Sequence, residues 1–259
     1  MIAYDEFLEI VAQEARLDRD SADRASRAVL ETLAERIDAG EARDLAGLLP
    51  PELAPSLGHL GPAQAFDLYE FVRRVAEREG VDLDTAELHT RAVFTALGRA
   101  VGDKELRDLA AQLPDDFGRL LPAGTHFETI TADDFLDRVA RRAGMDRGEA
   151  RRATDAVLET LAERIAGGEV EDLMDRLPVS LHEPLRRGLE RTGGTAAGMS
   201  LERFVRRVAE REGTSAGQAA KAARAVLTTL REAVGELSFL DVEVQLPDGY
   251  GVVTRLGRS

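Results

Sequence analysis

The chain has 259 residues, 44% of them hydrophobic and 32% charged, a composition typical of globular proteins. It contains no cysteine, which excludes disulfide bonds, thiolate metal sites and thiol nucleophiles. The net charge of −14 disfavours nucleic acid and anionic membranes as main partners, and the absence of a long apolar run or a secretory leader predicts a cytoplasmic protein.

Two strings occur twice in the chain, which indicates internal duplication. VLETLAERI stands at residues 29–37 and 157–165, and FVRRVAEREG stands at residues 71–80 and 204–213. Setting four phenylalanines in register aligns about fifty residues after each without a gap; they are Phe7, Phe71, Phe135 and Phe204. The sequence therefore predicts four copies of one helical unit.

The first helix of each copy is predicted to begin at an N-cap and to end at a glycine in the left-handed conformation. Asp67, Thr131 and Ser200 are the candidate N-caps. Glycine follows the helix at residues 80, 144 and 213. Because Arg16 stands at that position in the first copy, we expect its turn to be closed differently.

The second helix of each copy is predicted to be long, because its apolar positions recur three or four residues apart over about twenty residues. The first copy shows this stripe as Ala22, Ala25, Val29, Leu33 and Ile37. The predicted N-caps are Asp18, Asp82, Asp146 and Ser215. Gly40 and the pair Gly167 and Gly168 are predicted to end this helix in the first and third copies.

A short third helix is predicted in each copy, ending at a repeated Leu-Pro dipeptide. The fourth copy, ELSFLDVEVQL, is β-branched and aromatic, so an extended segment is an alternative there. The segments after the prolines are predicted to form one further short helical turn. Glycine and proline indicate joints at residues 58–64, 121–125 and 188–198, the last containing an exposed flexible loop at 192–198.

These patterns predict an all-α fold with two tandem helical-bundle domains related by duplication. Each domain is built of two similar halves of three to four helices, because one copy alone offers too little apolar surface for a core. The expected first domain is 1–123, with halves 1–64 and 65–123. The expected second domain is 124–259, with halves 124–192 and 193–259.

The strings ARDLAGLLP and LRDLAAQLP, with the preceding VLETLAERI pattern, resemble the bacterial and archaeal family known as domain of unknown function 2267. The resemblance covers nearly the whole chain as two tandem copies. It implies an all-helical fold and a prokaryotic source, and it implies no activity, cofactor or catalytic residue.

Four groups of residues are candidate sites, and each has a structural interpretation that we favour. His59, His89, His126 and His182 occupy unrelated positions without metal-ligand spacing, so surface or capping roles are predicted. The Asp-x-Asp pairs at Asp18 and Asp82 lack the glycine and glutamate of a calcium loop. Four aspartates share one position of the third helix; they are Asp44, Asp108, Asp172 and Asp241. Paired carboxylates could hold a metal or act as acid and base, but we expect these aspartates in the first helical turn, favoured by the helix dipole.

Arginine pairs such as Arg73–Arg74 and Arg206–Arg207 are candidates for binding phosphate, but we interpret them as solvated helix faces with ion pairs to acidic residues four positions away. We predict no catalytic, cofactor-binding or metal-ligating residue, no cofactor, and no enzyme activity.

The leading functional hypothesis is a non-catalytic cytoplasmic scaffold or adaptor that binds a protein through helical surfaces. The alternative is a small-molecule or lipid carrier with an apolar pocket between helices. Residues 1–128 hold 26 acidic and 14 basic residues, a net charge of −12, whereas residues 129–259 hold 22 and 20, a net charge of −2. The expected partner therefore has a basic surface or is another copy of the chain, with no nucleic acid and no membrane involved.

Overall fold

The computed structural model describes residues 2–58, 61–121, 130–246 and 250. The chain divides into two compact units, Met1–His126 and Phe127–Ser259, which we call the first and the second domain. The predicted boundary near residues 122–128 lies outside the described residues. All regular secondary structure in the described ranges is helical, which confirms the all-α fold class.

The first domain contains six α-helices and two short 3-10 turns among its described residues. In chain order the elements are α1 (Tyr4–Ala15), α2 (Arg19–Arg36), α3 (Ala39–Leu48), a 3-10 turn (Ala54–Leu57), α4 (Leu68–Glu79), α5 (Leu83–Val101), α6 (Asp103–Ala110) and a second 3-10 turn (Asp115–Arg119). Helices α1 to α3 and α4 to α6 form the two similar halves predicted from the repeats.

The second domain repeats this order and adds one helix to its first half. The elements are α7 (Ala132–Ala143), α8 (Arg147–Arg164), α9 (Gly167–Met174), a 3-10 turn (Val179–Leu181), α10 (His182–Thr192), α11 (Leu201–Glu212), α12 (Ala216–Val234) and α13 (Glu236–Gln245). The segment ELSFLDVEVQ is therefore a helix, and its extended alternative is wrong. Its β-branched residues do not prevent this, because Phe239 and Val242 are buried on one helical face.

The predicted N-caps are formed. The side chains of Asp18, Asp82 and Asp146 accept hydrogen bonds of 2.8 Å from backbone N–H groups three residues later. Asp146 and Ser215 also form complete capping boxes with Glu149 and Gln218. Each cap satisfies an N–H group that has no partner inside the helix, so the starts of the long helices are encoded locally.

Within each domain, the first helix of one half packs against the long helix of the other half. Helix α1 lies on α5 and α4 lies on α2 in the first domain, while α7 lies on α12 and α11 lies on α8 in the second. The four register phenylalanines and the apolar stripe of the long helices are buried in these cores. Each half therefore completes its core with the other half of the same domain.

The long helices do not end where the sequence predicted. Helix α2 ends at Arg36, Ile37 turns into the extended conformation, and Gly40 lies inside α3. Helix α8 ends in the same way before Ile165, and Gly167 and Gly168 begin α9. The glycine stop is thus wrong, because the chain turns at an isoleucine whose side chain stays buried in the core.

Arg16 adopts the left-handed conformation, with φ of 55° and ψ of 45°. Its N–H group donates to the carbonyl oxygen of Ala12, as the N–H group of Gly80 donates to that of Ala76. The first copy therefore closes its turn like the others, and the expectation of a different closure is wrong. A side chain at this φ costs about 1 kcal/mol, which the surrounding helices offset.

The predicted turns after the prolines are the 3-10 turns, but the third copy continues into the eleven-residue helix α10. Gly188, predicted to lie in a joint, is inside this helix and buried. A Cβ atom there would lie 2.3 Å from the carbonyl oxygen of Glu159 in α8. The following loop is anchored, since Gly167 N–H donates to Gly194 and Ala197 N–H donates to Glu163, each at 3.0 Å.

Candidate functional site

Charged side chains recur at three of the four places where a first helix crosses a long helix. Counting from the register phenylalanine, arginines stand three and seven residues later on the first helix. A threonine and a glutamate stand 25 and 28 residues later on the long helix. We call this arrangement the arginine–glutamate crossing. It occurs between α4 and α2, between α7 and α12, and between α11 and α8.

In the α2–α4 crossing, Arg74 and Arg78 of α4 bind Glu35 of α2. The Arg74 guanidinium lies 2.9 Å from the Glu35 carboxylate, and Arg78 pairs with the same carboxylate and donates to Thr32 Oγ1 at 2.7 Å. Thr32 can accept this bond because its own hydroxyl donates to the carbonyl oxygen of Ala28. The crossing thus pairs charges that lie about forty positions apart in the sequence.

In the α8–α11 crossing, Arg207 and Arg211 of α11 bind Glu163 of α8. Arg211 also donates to Thr160 Oγ1. The Glu163 side chain is 3% exposed, compared with 18% for Glu35. An ionised carboxylate so deeply buried is stable only when it is paired, so these arginines hold the negative charge of Glu163 in place.

The α7–α12 crossing follows the same pattern, with Arg142 bound to Thr229 at 2.7 Å and to Glu232. The fourth crossing, between α1 and α5, is different. Ile10 and Ala96 stand at the positions of an arginine and the threonine, and both are buried. Glu14 and Arg99, both exposed, stand at the two remaining positions, so this crossing lacks the arginine–threonine–glutamate pattern.

Helix α10 adds two arginines to the α8–α11 crossing. Because Gly188 lets α10 approach α8 closely, Arg187 Nε and Arg191 Nε both reach Glu159, each 3.1 Å from a carboxylate oxygen. Arg211 Nε lies 3.2 Å from the same residue. Two nearly buried glutamates, Glu159 and Glu163, are therefore surrounded by four guanidinium groups.

Each domain has a groove beside such a crossing. The groove of the first domain has a volume of about 450 Å³, and its lining residues are Glu35, Glu70, Arg73, Arg74, Glu77 and Arg78. The groove of the second domain has a volume of about 610 Å³, and its charged lining residues are Glu163, Arg191, Arg207, Glu210 and Arg211. Both grooves can bind charged groups, and they differ in net charge.

The ionisation of the two grooves reflects this difference. Hydrogen bonds from Arg73 lower the pKa of Glu70 to about 2, with a further contribution from Arg74. Burial lowers the pKa of Arg211, the neighbouring Arg191 and Arg187 lower it further, and Glu159 opposes them. The first groove thus stabilises a carboxylate, whereas positive charges crowd one another in the second.

The four repeated aspartates are exposed and stand sixth in their helices, not in the first turn. The predicted stabilisation of these aspartates by the positive end of the helix is therefore wrong. Burial raises the pKa of Glu41, and the nearby charges of Asp38, Asp108 and Asp44 raise it further. Burial likewise raises the pKa of Glu169, with further contributions from Asp241 and Asp172.

The histidines that the structure describes are buried, so their predicted surface roles are wrong. His89 Nδ1 lies 2.6 Å from Glu79 Oε2, and both side chains are about 5% exposed. His182 Nε2 lies 2.9 Å from the carbonyl oxygen of Leu177. His59 and His126 lie outside the described residues. Within the described ranges, no three His, Asp or Glu residues come close enough to hold a metal ion.

Helix α13 exposes two large apolar side chains. Leu240 is 45% exposed and Val244 is 83% exposed, and they stand four residues apart on one helical face. We call this pair the α13 patch. At the same register positions the other three copies have exposed residues that are polar or small, of which Ala111 and Asp175 directly follow their helices; the pairs are Arg43 and Gly47, Arg107 and Ala111, and Glu171 and Asp175. Only the fourth copy therefore offers an apolar surface there.

Sequence reasoning missed the arginine–glutamate crossings. It predicted solvated faces with pairs four residues apart, and Glu70–Arg74 at 2.8 Å confirms one such pair. The signal for the crossings was present, because arginine, threonine and glutamate recur at fixed register positions in three copies. Which long helix each arginine reaches could not be read from that pattern.

The comparisons with known proteins agree with the duplicated fold. No helix among the described residues is long and apolar enough to cross a membrane. No curated protein matches the chain in a sequence search. A family model described as "Uncharacterized conserved protein (DUF2267)" matches residues 4–120 and again residues 132–252. The chain therefore belongs to the family of domain of unknown function 2267, of which it carries two tandem copies.

Proposed function

We propose that the protein is a non-catalytic cytoplasmic scaffold or adaptor, and that the α13 patch binds a partner protein. The exposure of Leu240 and Val244 is the observation that carries this proposal. Single exposed apolar residues are common on soluble proteins. A neighbouring pair on one helical face, at positions where the other three copies are polar or small, is the kind of surface that partner helices or grooves cover.

The charge of α13 favours a basic partner over a second copy of the chain. Helix α13 carries the acidic residues Asp241 and Glu243, and its sequence has no basic residue. Two copies meeting through α13 would bring these like charges together, which opposes association. A partner whose apolar groove is rimmed by lysine or arginine fits both the apolar pair and its acidic surroundings.

The linings of the grooves support a protein partner over a lipid or another apolar ligand. Charged side chains dominate the grooves of both domains. A lipid-binding pocket is lined mainly by apolar and aromatic side chains. The large aromatic residues of the first domain instead pack against one another, as Phe71 does with Phe94 and Phe117 at centroid distances of 6.1 Å and 5.2 Å.

Photo-crosslinking in the native cell tests the proposal. A photoreactive amino acid replaces Val244 in one variant and Ala111 in a control variant, since Ala111 is exposed at the same register position, directly after α6. We expect a discrete covalent adduct with a basic protein from position 244 and none from position 111. The adduct should disappear when Leu240→Arg is added, because arginine is the residue that α3 and α6 carry there.

Two outcomes would contradict the proposal. Adducts of equal yield from positions 111 and 244 would show that the α13 patch is an ordinary surface. An adduct between two copies of the chain would show that the α13 patch mediates self-association and does not bind a basic partner. Sedimentation of the purified chain would then confirm the self-association.

A further inference from the structure

The grooves of the two domains are built alike and differ in charge. The groove of the first domain is lined by three arginines and three glutamates, so its charges balance. The groove of the second domain, which we call the basic groove, is lined by three arginines and two glutamates. It therefore carries a positive charge in a chain whose net charge is −14.

The two domains also differ at one register position of helices α4 and α11. In the first domain, Glu70 receives hydrogen bonds from Arg73 and Arg74, with distances of 2.6 Å to 2.8 Å. In the second domain, Arg206 and Arg207 stand at the positions of those two arginines, and Arg203 stands at the position of Glu70. The acceptor that neutralises two arginines in one domain is thus replaced by another exposed arginine.

The basic groove also has more hydrogen-bond donors than its carboxylates can accept. Four guanidinium groups surround Glu159 and Glu163, and each guanidinium has five N–H donors against about four acceptor positions on each carboxylate. The Arg191 side chain is 59% exposed, so its remaining donors face the groove and solvent. The Arg207 side chain is 34% exposed and lines the same groove.

We propose that the basic groove binds a small soluble phosphorylated compound, with Arg191 of α10 and Arg207 of α11 as its main ligands. The planar fork of a guanidinium matches phosphate oxygens and binds them through two parallel hydrogen bonds. A phosphate presents its oxygens in a tetrahedron, so it accepts from arginines on two different helices. The volume of about 610 Å³ lies within the range of small-molecule sites.

The site is independent of the α13 patch, because it uses different residues on different helices. Glu159 and Glu163 act as positioning residues in it. Their buried carboxylates hold the inner arginines in place, and Gly188 allows α10 to bring Arg191 to the groove. The ligand supplies the acceptor that Glu70 supplies in the first domain.

Titration calorimetry of the full chain with inorganic pyrophosphate tests the proposal. We expect binding of one pyrophosphate, weakened about tenfold or more by Arg191→Gln, since this variant removes charge-assisted hydrogen bonds to the ligand. Arg203→Glu should weaken binding at least as much, because the new carboxylate can accept hydrogen bonds from Arg206 and Arg207, as Glu70 accepts them from Arg73 and Arg74. Both residues are exposed, so the variants should keep the circular dichroism spectrum and melting temperature of the wild type.

Arg73→Gln is the matched control, because it removes one positive charge from the balanced groove. It should leave pyrophosphate binding unchanged. Absence of pyrophosphate binding, or an equal loss of affinity in Arg73→Gln and Arg203→Glu, would overturn the proposal.

Sedimentation with phosphatidylcholine vesicles, with and without phosphatidic acid, distinguishes a soluble phosphate from a lipid phosphate. Binding to phosphatidic acid without binding to pyrophosphate would refute a soluble ligand. Leu240→Arg should not change pyrophosphate affinity, so this site and the α13 patch can fail separately.

Discussion

Gly188 is the residue at which α10 passes closest to α8, and Gly188→Ala tests how far that approach determines the second domain. A Cβ atom at this position would lie 2.3 Å from the carbonyl oxygen of Glu159 and 2.6 Å from Cβ of Ala162. Ordinary contacts between carbon atoms begin at about 3.5 Å. Both obstructing atoms belong to the backbone or to a short side chain, so no change of rotamer can relieve the contact.

Helix α10 must therefore move away from α8 by about 1 Å or more in the variant. Overpacking of this kind costs about 3 kcal/mol, and the better helix propensity of alanine returns about 1 kcal/mol. The displacement also lengthens the contacts of Arg187 and Arg191 with Glu159, now 3.1 Å each. We expect a net loss of about 2 kcal/mol in the free energy of unfolding of the second domain.

Urea unfolding followed by circular dichroism measures the loss, and hydrogen exchange of α8 and α10 peptides assigns it to the second domain. Gly217→Ala is the control, because nothing lies within 4 Å of a Cβ atom at that position of α12. It should be neutral or stabilising by up to about 1 kcal/mol. A Gly188→Ala variant as stable as the wild type would refute the inferred close approach of the two helices.

Three further predictions concern single side chains. Arg16→Gly should raise the free energy of unfolding of the first domain by about 1 kcal/mol in urea titrations, because glycine adopts a φ of 55° without strain. Glu163→Gln should lower the stability of the second domain by about 3 kcal/mol in the same assay, since Arg207 and Arg211 would lose a carboxylate that is 3% exposed. A loss of stability no larger than that of Glu35→Gln in the first domain would contradict this prediction. Glu70 has a pKa near 2 in the folded chain against 4.5 for a free side chain, so its contribution to stability is complete above pH 4.5 and is lost as the pH falls towards 2. Melting temperatures of Glu70→Gln should therefore decline less steeply than those of the wild type over this pH range.

The sequence by itself determined the helical class, the four copies and most helix starts. Helical periodicity and N-caps depend on residues within a few positions of each other, so Asp18, Asp146 and Ser215 could be identified as caps without a fold. The apolar stripe of the long helices was predicted for the same reason, and its residues are buried. Local rules also mislead, since a glycine near a helix end predicts a stop, whereas Gly40 lies inside α3.

Only the tertiary structure decided which side chains meet. Arg74 and Glu35 are 39 residues apart, and only the packing of α4 on α2 turns two ordinary surface charges into a crossing. The burial of Glu163 depends in the same way on α11 lying over α8. Gly188 looked like a joint because glycine often breaks helices, whereas its lack of a side chain serves the contact between α10 and α8. Such contacts join distant parts of the chain, and local residue patterns do not specify the partner, the distance or the burial that give a charged residue its role.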